Sequence, residues 1–447
     1  MLGKTARAMG GAQASGWHRA AALALLVPMA GIALLAAAVA VETTAEDRNP
    51  IALGLCLGWL GLAAMAARAA ATGQQRAIAA IALVASSFAW RFWSIHFASG
   101  VALGADPMNY QNLAHALLDG RGLITDDWRY GRDLRAYFPP LYPVLLAGWW
   151  RLFGDAPVAT LVMTTLTDIG TALALVDIGR RLGRPAAGWL AGLLFFAYPP
   201  FALAAAIPQK EALTILLITL MLRGTIIWWT DTSGHRRARH GLALGALWGL
   251  LALTQPGAVL LPVTIALALV ALRGWPATLR LGLWSIPAFL LVMAPWWVRN
   301  WLVFGAFVPF TTASGFMVNV ALGTHGLPIP DSIFSLPEPE RSAVMGREAM
   351  RRIGAQPLDF LTQTARALIA GFGYEEATIA RFRHTTPPIG SAMRAILTGP
   401  LQIAYLSLLV AAAIECWRRW RAANPDPLVP IGLAMLTGIG AVNMWFE

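Results

Sequence analysis

The 447-residue sequence predicts an all-α, polytopic membrane protein with about 11 transmembrane helices and further juxtamembrane helices on the outer face. Hydrophobic residues make up 57% of the chain and charged residues only 13%, whereas about a quarter of a soluble domain is normally charged. Apolar runs of about 20 residues, the length that crosses a bilayer as a helix, recur along the chain. The alternating pattern of a membrane β-barrel is absent.

Apolar length places most of these spans directly. We predict them at 20–41, 51–72, 77–97, 158–180, 186–206, 211–229, 278–301, 395–416 and 428–446, with two short spans inside 240–272. The last run is interrupted by Thr254-Gln255-Pro256-Gly257, and a proline there ends one helix and starts another. Residues 20–41 follow basic residues, but the run is too long for a signal peptide. We therefore expect a retained first span.

Charge sets the predicted orientation. The chain carries a formal charge of +11, and the basic residues concentrate in short loops, which remain cytoplasmic in most membrane proteins. The excess therefore reflects orientation, and we predict no nucleic-acid partner. The rule is satisfied when the N-terminus is cytoplasmic and the segment 138–153 dips into the outer leaflet without crossing. Two long loops, 98–137 and 302–394, then lie outside.

The predicted organisation has four parts. Residues 1–76 form an N-terminal extension of two spans, and residues 77–303 form a core that includes the outer loop 98–137. Residues 304–394 form a long outer loop with expected helices at 338–353 and 357–370, and residues 395–447 hold the last spans.

Asp106 is the most informative candidate residue. It precedes Pro107 at the outer end of an apolar segment, and the residues that follow have helical periodicity, with Tyr110, Leu113, Ala114, Leu117 and Leu118 on one face and Asn109, Gln111, Asn112, His115 and Asp119 opposite. This pattern predicts a short helix lying on the membrane surface. An aspartate before a proline is also a favoured helix start, so Asp106 has both a capping and a catalytic interpretation.

Several cations share the outer face with Asp106. Arg299, Lys210 and Arg135 end there, as does the helix break at Gln255, and cations facing one carboxylate suit a lipid phosphate. Arg299 lies among tryptophans, so it also has a simpler interpretation: the tryptophans form an aromatic belt at the membrane interface, and the arginine side chain extends toward the lipid headgroups. We expect Arg91, which lies deeper in its span, to pair with Asp106 or Glu211. Asp168 and Asp177 are structural polar contacts or part of a proton path, and we favour the structural interpretation. A substrate pocket is predicted from Tyr110, Tyr137, Tyr142, Glu211, Asn300 and Arg91. No histidine spacing indicates a metal site.

Three motifs carry a resemblance. Ala105-Asp106-Pro107-Met108-Asn109-Tyr110, then Pro139-Pro140-Leu141-Tyr142-Pro143, then Pro295-Trp296 with Arg299-Asn300 and Phe304-Gly305 resemble, in order and spacing, the membrane glycosyltransferases of the GT-C fold. The resemblance is strongest to the protein O-mannosyltransferase and aminoarabinose transferase superfamily (glycosyltransferase families 39 and 83), and it covers most of residues 77–320.

The resemblance implies a function. It implies a bacterial inner-membrane enzyme that transfers a sugar from a polyprenyl-phosphate donor to a hydroxyl of a lipid, glycan or protein on the periplasmic side, with inversion. Asp106 is then the general base, and Arg299, Lys210, Arg135 and Gln255 bind the donor phosphate. Relatives often carry a second acid where this chain has Pro107, and a cation where it has Gln255.

The implied mechanism requires no cofactor, with a divalent metal left open. The alternatives are a transporter or flippase for a lipid-linked glycan, and a structural membrane subunit in which Asp106 is only a cap.

Overall fold

A computed structural model describes residues 50–98, 105–127, 131–230, 234–316 and 331–362. The predicted spans at 20–41, 395–416 and 428–446, and the part 395–447, lie outside the described residues. The described chain divides into two compact units. One contains residues 50–98 and 168–205, and the other contains the remaining described residues from 105 to 167 and from 206 to 362.

The first unit is built from helices. Its elements are α1 (Pro50–Thr72), α2 (Arg76–Ala98), the second half of α5 (Pro157–Arg181), α6 (Pro185–Ala197) and α7 (Pro199–Ala204). The predicted span 186–206 is not one continuous helix, because α6 and α7 are separated at Tyr198, which is extended with ψ 117°; whether the segment crosses the membrane stays a prediction. A residue before proline is pushed out of the helical region, and Pro199 follows it directly.

A buried ion pair lies inside the first unit. Arg91 on α2 is fully buried, and its Nη2 donates to Asp168 Oδ2 at 2.5 Å. Its Nη1 donates to Ser87 Oγ and to the carbonyl of Phe196. The expected pairing with Asp106 or Glu211 is therefore wrong, whereas the structural interpretation of Asp168 agrees with this contact.

The second unit carries most of the remaining elements. They are α3 (Ala105–Leu118), strands β1 (Thr125–Asp127) and β2 (Gly131–Leu134), α4 (Leu141–Phe153), the first half of α5, α8 (Glu211–Thr230), α9 (Gly234–Ala252), a 3-10 turn (Pro256–Leu260), α10 (Leu261–Arg273), α11 (Trp275–Phe304), a second 3-10 turn (Asp331–Ser335) and α12 (Glu338–Ala355).

The strands form an antiparallel hairpin that the all-α prediction omitted. The stretch lacks hydrophobic alternation, so the sequence offered no strand pattern. The break predicted at Gln255 is confirmed, since α9 ends at Ala252 and the 3-10 turn begins at Pro256. The predicted helix 338–353 is also confirmed, as α12.

A stripe of glycines brings α9 and α11 together. Gly241, Gly245 and Gly249 recur every fourth residue of α9, and they face α11 at Trp284, Ser285 and Val292. A Cβ added at Gly241 or Gly249 would lie 2.7 Å from the Trp284 or Val292 side chain. Small residues at this spacing allow close backbone approach between membrane helices, so these glycines set the distance between α9 and α11.

Four described helical segments are long and apolar enough to cross a membrane, namely Arg76–Ile95, Pro157–Arg181, Glu211–Thr230 and Trp275–Phe304. Helix α4 has 13 residues and spans about 20 Å, which is shorter than the hydrocarbon core of about 30 Å. Helix α10 also has 13 residues, so length alone does not test the dip at 138–153, which stays a prediction. The chain is a helical membrane protein, and the total of about 11 spans stays a prediction.

Candidate active site

Five of the predicted site residues line one small cavity in the second unit. The cavity has a volume of about 70 Å³ and is lined by Asp106, Tyr110, Tyr137, Phe138, Pro139, Lys210, Gln255, Pro256, Thr311, Ala313 and Ser314. One carboxylate and one ammonium group therefore share a concave surface. The predicted residues among these are Asp106, Tyr110, Tyr137, Lys210 and Gln255.

Asp106 lies in the first turn of α3, which begins at Ala105. The residue is exposed, and an acid in the first turn is stabilised by the positive end of the helix dipole. One turn further along, Tyr110 is 2% exposed and packs edge-on against Tyr142 and Phe138, with ring centroids 5.2 and 5.7 Å apart. Packing of this kind fixes the helix that carries the carboxylate.

Asn109 provides a second anchor for α3. We predicted it on the solvent face, but it is fully buried. Its Nδ2 donates to Asp127 Oδ2 at 2.5 Å, and its Oδ1 accepts from the Thr125 hydroxyl at 3.1 Å. The solvent-face prediction failed because strand β1, which the sequence pattern did not indicate, covers this side of the helix and satisfies the amide.

Lys210 supplies the positive charge of the cavity. It immediately precedes α8, and its carbonyl accepts from the Thr214 amide at 2.9 Å, which starts the helix. The Lys210 side chain is partly buried. Among the described residues it forms no ion pair, so its ammonium group is available to an anionic ligand.

Gln255 contributes an unsatisfied polar atom. The residue is 4% exposed, and its backbone is extended, with φ −137° and ψ 93°, as the following proline requires. Its Oε1 is buried and accepts no hydrogen bond from the described residues. A buried acceptor without a donor costs roughly 1–3 kcal/mol, so this amide oxygen favours a ligand that brings a donor.

Glu338 is a residue of this region that the sequence reasoning missed. It is 8% exposed, and its carboxylate accepts from the backbone amides of Arg135 (2.7 Å) and Ala136 (3.0 Å) and from the Thr312 hydroxyl. The Thr312 amide in turn donates to the Ala136 carbonyl at 2.9 Å. Glu338 therefore joins α12 to two of the segments that carry cavity residues, the one with Tyr137 and the one with Thr311. Its position after Pro337 indicated only a helix start.

Arg299 and Arg135 do not line the cavity. The Arg299 guanidinium donates to Asn300 Oδ1 at 2.8 Å and to the Leu123 carbonyl at 3.3 Å, and it lies 5.1 Å from the Trp296 ring centroid. The neighbouring Asn300 is fully buried and donates to the Val308 carbonyl. Arg135 has an exposed side chain. Of the three predicted phosphate cations, the structure brings only Lys210 onto the cavity with Asp106.

Tyr142 and Glu211 lie close to the cavity but outside its lining. Tyr142 is 3% exposed, and burial, with the nearby charge of Glu211 adding to it, raises the pKa of its phenol above the ordinary value. The side chain is therefore neutral at physiological pH and acts by packing against Tyr110. Glu211 is exposed in the first turn of α8.

Within the described ranges, no three His, Cys, Asp or Glu side chains are grouped so that they could hold a metal ion. The cavity residues supply one carboxylate, one ammonium group, one amide and the hydroxyls of Tyr110, Tyr137, Thr311 and Ser314.

Comparisons with known proteins add little. No protein-family model matches the sequence, and a search of curated proteins gives no match. Among solved structures, the crystal structure of the oligosaccharyltransferase of Archaeoglobus fulgidus, in complex with Zn and sulfate, aligns over 77% of this chain and 45% of its own length. Its TM-score is 0.36 and its identity 15%. The resemblance is coarse, so the functional argument rests on the cavity.

Proposed function

We propose that this protein is a membrane glycosyltransferase that transfers a sugar from a polyprenyl-phosphate donor to a hydroxyl acceptor. The observation that carries the proposal is the cavity shared by the Asp106 carboxylate, the Lys210 ammonium group and the unsatisfied Gln255 oxygen. A base, a cation and an acceptor for a hydroxyl are the groups that such a transfer uses. The motifs that contain Asp106, Pro139 and Arg299 support the same reaction class through their resemblance to GT-C enzymes.

The proposed reaction is a single displacement. Asp106 accepts the proton of the acceptor hydroxyl while its oxygen attacks the anomeric carbon, and the bond between that carbon and the phosphate oxygen breaks. The phosphate leaves with both electrons of that bond. Preorganised charge is the usual way to stabilise such a leaving group, and Lys210 supplies it here. Attack opposite the leaving group inverts the anomeric centre.

Gln255 has two proposed contacts. Its Oε1 requires a donor, which a sugar hydroxyl provides and a fully ionised phosphate does not. The amino group of the same amide can donate to a phosphate oxygen, which was the contact predicted from the sequence. We therefore assign Gln255 to the junction between sugar and phosphate.

The size of the cavity limits what it holds. A volume of about 70 Å³ is well below the roughly 300–1,000 Å³ of typical ligand pockets. It accommodates the reacting phosphate and adjoining atoms, while the rest of the donor and the acceptor lie outside it. Arg299 and Arg135 stay predicted contacts of the donor phosphate beyond this cavity, and Asn300, Tyr142, Glu211 and Arg91 stay predicted pocket residues.

The remaining parts of the proposal follow from charge and resemblance. The enzyme would lie in the bacterial inner membrane with its N-terminus cytoplasmic and this cavity facing the periplasm. Its acceptor would be a lipid, glycan or protein hydroxyl. Neither a metal nor another cofactor takes part in the proposed step.

The test compares Asp106→Asn with a matched control in the same outer loop. Asp119, just beyond the end of α3, is exposed and pairs with Arg121, so Asp119→Asn removes an equal charge at a distance from the cavity. The protein is reconstituted in proteoliposomes with a panel of polyprenyl-phosphate sugars, and release of polyprenyl phosphate is measured. Loss of a general base typically costs about 10²- to 10⁴-fold in rate. We expect this loss for Asp106→Asn and near-normal turnover for Asp119→Asn.

The donor site has its own variant. Lys210→Gln should raise the KM for the lipid donor, whereas Arg132→Gln, which removes an exposed cation from β2, should not. The thermal unfolding midpoint of Asp106→Asn should equal that of the parent, which shows that any loss of turnover comes from the chemical step and not from misfolding. Undiminished turnover of folded Asp106→Asn would remove Asp106 as the base. A parent protein that turns over none of the donors but moves them across the bilayer would establish the transporter alternative.

A further inference from the structure

A second cavity in the same unit combines cations and indole rings. It has a volume of about 360 Å³ and is lined by Trp228, Trp229, Arg237, Pro276, Ala277, Arg280 and Trp284. Among the residues that the structure describes, the lining contains two guanidinium groups and no acid. Arg237 lies with its guanidinium carbon 6.0 Å from the centre of the Trp228 ring, within the range of a cation–π contact.

This cavity lies at the opposite end of the helices from Asp106 and Lys210. Trp228 is near the end of α8, whereas Lys210 precedes its start, and roughly 25 Å of helix separates Glu211 from Trp228. Helix α9 runs the other way, with Arg237 in its first turns and Gln255 beyond its last residue. The second cavity therefore lies on the face that the charge distribution predicts to be cytoplasmic.

An apolar cavity adjoins it. That cavity has a volume of about 850 Å³, and its lining comes from α8, α9, α10 and α11, with residues such as Met221, Leu244, Ile265 and Ile286. Arg280 lines both cavities. Arg280 is exposed, and within the part of the chain that the structure describes it forms no ion pair. A cationic, aromatic cavity and an apolar cavity thus share one arginine in their walls.

We propose that these two cavities bind one anionic phospholipid, with its phosphate between Arg237 and Arg280 and an acyl chain in the apolar cavity. Indoles prefer the interface between headgroups and hydrocarbon, and basic pockets between membrane helices bind anionic headgroups on the cytoplasmic side. An aromatic belt at the membrane interface would explain the tryptophans. It would not explain why two cations line the same cavity, or why one of them also lines an apolar cavity. The site is separate from the proposed sugar transfer and stands whether or not that transfer occurs.

The test measures lipid binding by native mass spectrometry of the full chain in a neutral detergent. Phosphatidylglycerol is titrated against the parent, against R237Q/R280Q and against the charge-matched control R239Q/R347Q. Arg239 is exposed on α9 and Arg347 is exposed on α12, and neither lines the cavity. Two interfacial cations are worth about ten- to thirty-fold in affinity for an anionic lipid. We expect that loss in R237Q/R280Q and no change in the control.

Two further ligands test whether the site recognises an anionic lipid, a neutral lipid or free phosphate. Phosphatidylcholine carries the same phosphate group, but its headgroup has no net charge, so it should bind more weakly than phosphatidylglycerol. Inorganic phosphate at equal concentration should not displace the lipid, since it lacks the acyl chain. Equal affinity for the two lipids, displacement by inorganic phosphate, or equal losses in both double variants would overturn the proposal. If R237Q/R280Q does not fold, R280Q alone serves as the test. Arg280 is exposed, so its replacement should not disturb the packed interior. The loss of one interfacial cation should lower the affinity about three- to ten-fold.

Discussion

Replacing Glu338 with glutamine tests how α12 holds the chain beside the candidate active site. The Glu338 carboxylate accepts from the amides of Arg135 and Ala136 and from the Thr312 hydroxyl. Glutamine has nearly the same shape but offers one acceptor oxygen in place of two. One backbone amide therefore loses its acceptor and faces an amino group that can only donate.

The expected magnitude follows from these bonds. A hydrogen bond to a charged group contributes roughly 1.5–3 kcal/mol, and a neutral one about 0.5–1.5 kcal/mol. Losing one charged bond and converting the other two to neutral ones lowers the local opening free energy by about 3.5–6 kcal/mol. Since about 1.4 kcal/mol corresponds to a factor of ten, amide exchange at residues 135 and 136 should accelerate by roughly 300- to 20,000-fold.

Hydrogen exchange with mass spectrometry measures this directly on a peptide that covers 131–138. The control is Glu340→Gln, which changes an exposed carboxylate in the same first turn of α12 and should leave the peptide unchanged. Exchange that stays at the parent rate in Glu338→Gln would refute the argument, because it would mean that other contacts hold these amides. Sugar transfer should fall together with the protection, since Tyr137 lies in the loosened segment.

Two further predictions concern packing and pH. Gly245→Ala should destabilise the protein strongly, because the added Cβ meets the α11 backbone. The control is Gly282→Ala, whose Cβ has only an ordinary contact at 3.6 Å. Thermal unfolding in detergent should give a lower midpoint for Gly245→Ala, and equal midpoints would contradict the role of the glycine stripe. Hydrogen bonds from Arg351 and Arg352 lower the pKa of Glu348 to about 2. The stabilisation of α12 is therefore complete above the unfolded value near 4.5 and is lost as the pH falls through the folded value. The protection of amides in 345–355, taken relative to the intrinsic exchange rate at each pH, should fall over that window, and Glu348→Gln should abolish this loss of protection.

Local rules explain what the sequence predicted well. Apolar length placed the span at 158–180, which is Pro157–Arg181 in the structure, and the span at 211–229, which is Glu211–Thr230. The break at Gln255 follows from the geometry of a single X-Pro step. These features depend on neighbouring residues only, so a single sequence contains the information.

Tertiary contacts explain what it did not predict. Asp168 lies 77 residues from Arg91, and nothing near Arg91 in the sequence identifies this partner. Asn109 looked solvent-exposed because a hairpin without hydrophobic alternation covers it. The break at Tyr198 needed no tertiary contact: it follows from the same local X-Pro rule as the break at Gln255, but apolar length, which Pro199 and Pro200 do not shorten, placed the span there.

The candidate site shows the same division. Placing Arg299, Arg135 and Lys210 on one outer face used only the ends of predicted spans, which give depth in the membrane and not position around the bundle. The structure brings Lys210 to the cavity with Asp106 and directs Arg299 to the Leu123 carbonyl. Glu338 needed the fold, because its partners lie about 200 residues earlier in the chain.

The buried pair of Arg91 and Asp168 has a consequence for the biogenesis of the protein. An arginine at the centre of a helix opposes insertion into the bilayer by roughly 2.5–3.5 kcal/mol, and Arg91, seven residues before the end of α2, opposes it by less. Helix α2 is synthesised before α5, so its arginine must wait for its counter-ion until Asp168, 77 residues later, has been made. The two helices therefore depend on each other during insertion, and α2 reaches its full stability in the bilayer only after α5 has joined it.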